Sequence, residues 1–254
     1  GPRRTTSGAA TIVPASAQPV YVHRKEIRAR VLPVVLKHLL KQLRAEDVLG
    51  RIILVPVLNP AAFGSGARES VADDGVNLNR AFVEGAGKSS ALAGITHRIA
   101  AFVREQLFPR VHVWIDLHAG GRVAQFIPAT SYHPIEDPVQ AREIEEAARW
   151  FGTPLVVIYQ NRTPGLLPSE AERLGKIMIG GEFGFGEAVN PAGVRFARHG
   201  ILAAAIHHGQ LSGSIEKFAH HADGTQRIVE MVDPACFVQA PWPGHYEPLL
   251  ACGA

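Results

Sequence analysis

Apolar residues along this chain recur with two periods, and the places where the period changes mark the elements. "PVYV" (19–22) is a short β signal. "PVVLKHLLKQLRAE" (33–46) repeats apolar residues at helical spacing, with Pro33 suited to a first turn. "RIILVPVL" (51–58) is a buried-strand run, and "ALAGITHRIAAFVREQL" (91–107) is an amphipathic helix. Further on, "RVHVWIDL" (110–117), "PLVVIY" (154–159) and "KIMIGGE" (176–182) read as strands. "DPVQAREIEEAARWF" (137–151) reads as a helix, and a helical pattern runs through "HGILAAAIHH" (199–208). Strands alternating with helices of this size predict an α/β three-layer sandwich, with helices on both faces of a mostly parallel or mixed sheet. From about Thr225 the texture changes to short β runs broken by Pro and Gly, "RIVEMV" and "CFVQAPWPG". The pattern therefore predicts a flexible lead over 1–18, a main domain over 19–222, and over 223–254 the start of a small β domain that looks incomplete.

Composition narrows the class. The chain has 254 residues, 46% hydrophobic and 19% charged, enough to bury a sizeable core. Its net charge of +3 comes from 26 basic and 23 acidic side chains spread without a block of one sign, so nucleic acid is not an expected partner. No apolar stretch approaches a transmembrane span and no apolar core follows Arg3 and Arg4, which argues against a membrane anchor or signal peptide. Cys236 and Cys252 have no zinc-ribbon spacing. A reducing, cytoplasmic compartment is compatible with this cysteine usage, and a homo-oligomer is compatible with the composition.

Four polar stretches interrupt this scaffold. In "WIDLHAGG", alternation puts Trp114, Asp116 and His118 on one face and Ile115 and Leu117 on the other. His118 thus reaches a strand's C-terminal end, where α/β sheets keep their sites, and Asp116 is placed to orient it as a metal ligand. "HRKE" supplies His23 and Glu26, two side chains that one turn can present to one ion. A close pair and a third ligand far along the chain leave an open zinc site its fourth position for water. In "IMIGGEFGFG" an apolar strand delivers Glu182 between glycines, a candidate general base with a raised pKa. The same run fails as a dinucleotide fingerprint because Val189 stands where its third Gly is wanted. "DDGVNLNRAF" offers Asn79 and Arg80, with Arg68 upstream, as a clamp for a carboxylate and a developing oxyanion. Each has a plainer reading: a packed histidine, a solvated turn, a loop acid, and a loop ion-paired through Glu69, Asp73 and Asp74.

Taken in order, "HRKE", "DGVNLNRAF", "DLHAGG" and "GGEFGFG" resemble the succinylglutamate desuccinylase and aspartoacylase family, relatives of the zinc carboxypeptidases. "NLNRAF", "DLHAGGR" and "FIPA" are most similar to the bacterial branch that includes N-acetyl-diaminobutyrate deacetylase. The resemblance implies one Zn2+ per chain held by His23, Glu26 and His118, Glu182 as base and proton shuttle, and Arg68, Asn79 and Arg80 as substrate clamp. It implies an amidohydrolase that cleaves N-acyl amino acids. No glycines stand directly before His23, although the family's first ligand motif usually reads close to "GGNHGDE". Two other readings stay open: a carboxypeptidase that uses the clamp for a peptide C-terminus, and a metal-free binding relative. His207 and His208, at a helix end before Gly209, are expected to cap it rather than bind metal. Tyr159, Arg162 and Arg122 are further candidates to line the site.

Overall fold

A computed structural model describes residues 10–12, 20–24, 31–71, 73–83, 94–121, 124–160, 162–185, 189–215, 226–231 and 233–244, with single positions at 247, 249 and 252. Among the described residues eight strands form one sheet: β1 (Ala10–Ile12), β2 (Val20–Arg24), β3 (Ile52–Val55), β4 (Val113–His118), β5 (Ala129–Tyr132), β6 (Leu155–Tyr159), β7 (Ile177–Glu182) and β8 (Arg227–Met231). Their order is β1-β3-β2-β4-β7-β5-β6-β8. β3, β2, β4 and β7 are mutually parallel, as are β5, β6 and β8. The two blocks meet antiparallel at β7 and β5, and β1 lies antiparallel on the outer edge of β3.

Helices α1 (Val31–Gln42), α2 (Pro60–Ser65), α3 (Ile95–Phe102), α4 (Pro138–Trp150), α5 (Leu167–Arg173) and α6 (Pro191–His207) cover the sheet. Three of them start with the same device. Asn59, Asp137 and Asn190 each precede a proline, and each side-chain oxygen accepts hydrogen bonds from the first-turn N–H groups. α6 thus begins well before the run at 199–208 that announces it in the sequence. α3 does not continue regularly to residue 107: Val103–Leu107 widens into a π turn, and Phe108–Arg110 closes it as a 3-10 turn at Pro109.

Strand alternation sorts the core into two layers. Ile115, Leu117 and Ile179 pack with Leu39, Ile144 and Ile201 of α1, α4 and α6. Trp114 and Met178 pack on the other face with Val103, Phe108 and Leu167, from α5 and the turns after α3. Phe108 meets Trp114 edge-on, with centroids 4.7 Å apart. The sandwich is therefore three layers deep, as the alternation predicts. Among the described residues no helix is long and apolar enough to cross a membrane.

Two strands depart from the expected boundaries. Ala10–Ile12 falls in the expected flexible lead, yet it pairs with Ile52–Leu54. "RIVEM" falls in the expected small β domain, yet it is β8, parallel to β6 over five register pairs. An apolar run beside an open strand edge gains ladder hydrogen bonds by joining it, so the change of texture near 225 does not mark a break in the sheet. Residues 233–244 beyond it are exposed and carry a short 3-10 turn, Pro234–Cys236.

Candidate active site

Parallel strands in register bring their carboxyl ends to one edge of the sheet, and here that edge collects the polar residues. His118 and Glu182, the last residues of β4 and β7, are direct cross-strand partners. The pairing continues past them, with Phe183 N–H donating to the His118 carbonyl at 2.9 Å. Asp116, on the same face as His118, has no solvent exposure, and its Oδ2 lies 3.0 Å from His118 Nε2. A carboxylate at Nε2 fixes the ring and turns Nδ1 towards any ligand. On the other side of β4, β2 places the backbone of His23 in register with Asp116. Glu26 and Arg122 lie outside the described residues. Among the described residues no group of three His, Cys, Asp or Glu is gathered tightly enough to hold an ion.

Glycine makes the space in front of this pair. Gly180 and Gly181 precede Glu182 on β7. A Cβ at Gly180 would stand 2.8 Å from Ser131 Oγ, and one at Gly181 2.7 Å from the Ala129 carbonyl oxygen. Side chains there would block the β5–β7 seam. A cavity of about 380 Å³ opens over it, lined by His118 and Glu182 together with Tyr132, His133, Tyr159 and Glu172. Burial, and then the charge of Glu182, push the Tyr159 phenol above its ordinary pKa. Tyr159 therefore keeps its proton and donates at neutral pH.

The clamp residues sit on a turn built by capping. Burial would raise the Asp74 carboxyl, but hydrogen bonds from Thr96 and Val76 outweigh it and hold the pKa below the usual range. Asp73 accepts from Ile95 N–H at 3.0 Å, so both acids of "DDG" receive the start of α3 rather than pairing with arginine. Asn77 Oδ1 accepts from Asn79 N–H, and Asn79 Oδ1 accepts from Leu167 N–H at 2.9 Å, across 88 residues. Asn79 thereby fixes the first turn of α5, whose neighbours Leu166 and Pro168 line the cavity. Arg68 and Arg80 are exposed, and one Arg80 N–H donates to the Asn79 carbonyl at 2.7 Å. Arg68, Asn79 and Arg80 are not among the described residues lining this cavity.

Of the expected site residues, the fold brings His118 and Glu182 into one cavity, and β2 sets the backbone of His23 beside Asp116. It adds His133 and Glu172, which sequence reasoning missed. β5, which delivers His133, is four residues, "ATSY", without an apolar run. Glu172 is one of two acids on α5, with Glu170. Tyr159 is confirmed as a lining residue, whereas Arg162 lies 3.9 Å from Glu172 and faces a neighbouring cavity.

Comparison with known proteins finds relatives of this chain and of its fold. Residues 32–208 match the family model described as the succinylglutamate desuccinylase/aspartoacylase catalytic domain. An N-alpha-acetyl-L-2,4-diaminobutyric acid deacetylase from Halomonas elongata is 34% identical over 219 residues, which are 86% of this chain. That match spans 61% of the relative's length. The product-bound ectoine utilization protein EutE (DoeB) from Ruegeria pomeroyi superposes with a TM-score of 0.80 at 28% identity, covering 91% of this chain and 68% of that one. A succinylglutamate desuccinylase/aspartoacylase from Rhodobacter sphaeroides superposes with a TM-score of 0.84 at 26% identity, covering 97% and 72%.

Proposed function

The chain belongs to the succinylglutamate desuccinylase/aspartoacylase family, and from that premise we propose that it is a zinc-dependent deacylase that hydrolyses the amide of an N-acyl amino acid. The observation that carries this reading is the register pairing of His118 with Glu182 at the mouth of one cavity. The acetylated diaminobutyric acid named for the Halomonas elongata relative supports an N-acetyl amino acid as the first substrate to assay.

His23, Glu26 and His118 would hold the ion. The donor set suits it: Asp116 occupies Nε2 of His118, which leaves Nδ1 as the ligating nitrogen, and β2 sets residue 23 beside β4. Zinc bound there supplies Lewis acidity, acidifying water and polarising the amide carbonyl. Glu182 takes the proton of the attacking water and delivers it to the leaving nitrogen. Arg80 and Asn79 would hold the substrate carboxylate and Arg68 would meet the oxyanion, all three from outside the described lining of the cavity, with Asn79 acting through its amide nitrogen because its oxygen caps α5. Tyr159 adds a protonated donor to the cavity wall.

The test is a panel of N-acyl amino acids and C-terminal peptides assayed on purified protein, with and without chelator, and on Glu182→Gln. Activity on N-acyl amino acids should disappear with chelator and return with zinc. The variant should lose about 10²–10⁴-fold in kcat, the span of general base catalysis. Ordinary turnover by Glu182→Gln would refute the base assignment, and a preference for peptides would favour a carboxypeptidase.

A further inference from the structure

Residues 162–173, the loop before α5 and α5 itself, form a wall with a cavity on each face. Thr163, Leu166, Pro168 and Glu172 line the active cavity. Arg162, Gly165, Ser169 and Arg173 line a second one of about 300 Å³. Pro168 and Glu172 are one helical turn apart, as are Ser169 and Arg173, so the two pairs occupy adjacent stripes of α5. Among the described residues the two cavities share no lining residue.

The two faces differ in charge. On the active-site face Glu172 is held by His133, whose Nδ1 lies 2.9 Å from a carboxylate oxygen, and no described Lys or Arg lines that cavity. The second cavity is lined by two arginines, Arg162 and Arg173, and one acid, Glu170. Glu170 is 5% exposed and its oxygens are engaged: Oε2 accepts from Arg173 Nε at 2.8 Å, and Oε1 from Arg173 Nη2 at 3.0 Å with Arg104 Nε at 3.2 Å. Arg104 therefore adds a third cation beside this single acid. Arg162 donates to the Pro134 carbonyl at 2.9 Å and stands 3.9 Å from Glu172, beyond hydrogen-bond distance. Excess positive charge of this kind favours an anion.

Ser169 adds an independent observation. Its Oγ is shielded from solvent and has no hydrogen-bond partner among the described residues. A buried hydroxyl without an acceptor is costly, and folded proteins seldom leave one without a reason. Phe82, Val83 and Pro164 make the rest of the lining apolar, which an inorganic oxyanion would leave unused and a hydrocarbon tail would cover.

We propose that this second cavity binds a small aliphatic carboxylate, its oxygens taken by Arg162 and the Ser169 hydroxyl beside Arg173, and its tail lying on Phe82, Val83 and Pro164. The site is separate from the one that cuts the amide, so it goes beyond the deacylase reading and stands without it.

The experiment is calorimetric titration of the purified chain with sodium butyrate, n-butanol and sodium sulfate. Butyrate should bind saturably with a Kd of about 1–10 mM, the range open to so small a ligand. Butanol lacks the charge and sulfate lacks the tail, and each should bind about tenfold more weakly. Arg162→Gln should weaken butyrate by about 10–100-fold, the scale of a hydrogen bond between charged groups. Ser169→Ala should weaken it by about 2–10-fold while leaving Tm unchanged or raised, because the hydroxyl makes no bond in the free protein. His118→Ala, altered in the other cavity, should bind butyrate as wild type does. Sulfate binding as tightly as butyrate, or no saturation by about 100 mM butyrate, overturns the proposal. So does butyrate binding that is lost in His118→Ala and kept in Arg162→Gln, because the ligand would then occupy the active cavity. A lower Tm in Ser169→Ala with unchanged butyrate affinity would make the serine structural and likewise count against the site. Should Arg162→Gln fail to fold, Ser169→Ala and His118→Ala decide together. No arm needs turnover, so failure of the deacylase assay and failure of this site are read separately.

Discussion

Replacing Gly181 with alanine tests whether the β5–β7 seam sets the position of the base. A Cβ at 181 would lie 2.7 Å from the Ala129 carbonyl oxygen and 2.5 Å from the edge of Phe183. Relaxed contacts are longer, so the seam must open by roughly 0.8 Å. The obstacle is backbone, which cannot swing aside as a long side chain would. Ala129 is also the register partner of Glu182, and Glu182 the partner of His118, so an opening at 181 is passed directly to the base. Overpacking of this kind costs about 1–3 kcal/mol, which for a chain of this size lowers Tm by roughly 2–12 °C. Displacing a reacting group by nearly 1 Å costs up to about 10²-fold in rate. The assay is thermal unfolding by circular dichroism beside kcat on an N-acetyl amino acid. Gly64→Ala on α2 is the control: a Cβ there meets nothing within 4 Å, and a helical Gly-to-Ala change should stabilise by about 0.5–1 kcal/mol. Wild-type Tm and turnover in Gly181→Ala would refute the argument that the glycine is required for close approach.

Other expectations test single contacts. Asn79→Ala should lower stability by about 1 kcal/mol because Leu167 N–H loses its cap, and Asn79→Asp should restore most of it; lost activity at unchanged Tm would make Asn79 a substrate ligand alone. His208, at the end of α6, is pushed down to about 4 by burial and then by the nearby His207 and His112. Because the unfolded chain takes up this proton near pH 6.5, stability should be full above that pH and fall by up to about 3 kcal/mol as pH drops towards 4. His208→Gln should flatten that slope in urea titrations across the same window, and an unaltered slope would count against the assignment.

The period of the chain determined much of the scaffold on its own. Alternation in "WIDLHAGG" put Trp114, Asp116 and His118 on one face and Ile115 and Leu117 on the other, and the two core layers follow that division. Long apolar runs and amphipathic patterns marked elements because burial of one face is a local requirement. His118 and Glu182 could be placed at strand ends from these rules alone.

Tertiary pairing decided the rest. β5 has too little apolar surface to announce itself, and it exists because β7 and β6 supply partners on both edges. That is why His133 was not legible. The roles of Glu172 and of the Asn79 oxygen depend on contacts spanning 39 and 88 residues, and no local period encodes such separations. Sequence patterns specify which face of an element is buried; which strand lies beside it, and therefore which polar groups share a cavity, is set by register between distant segments.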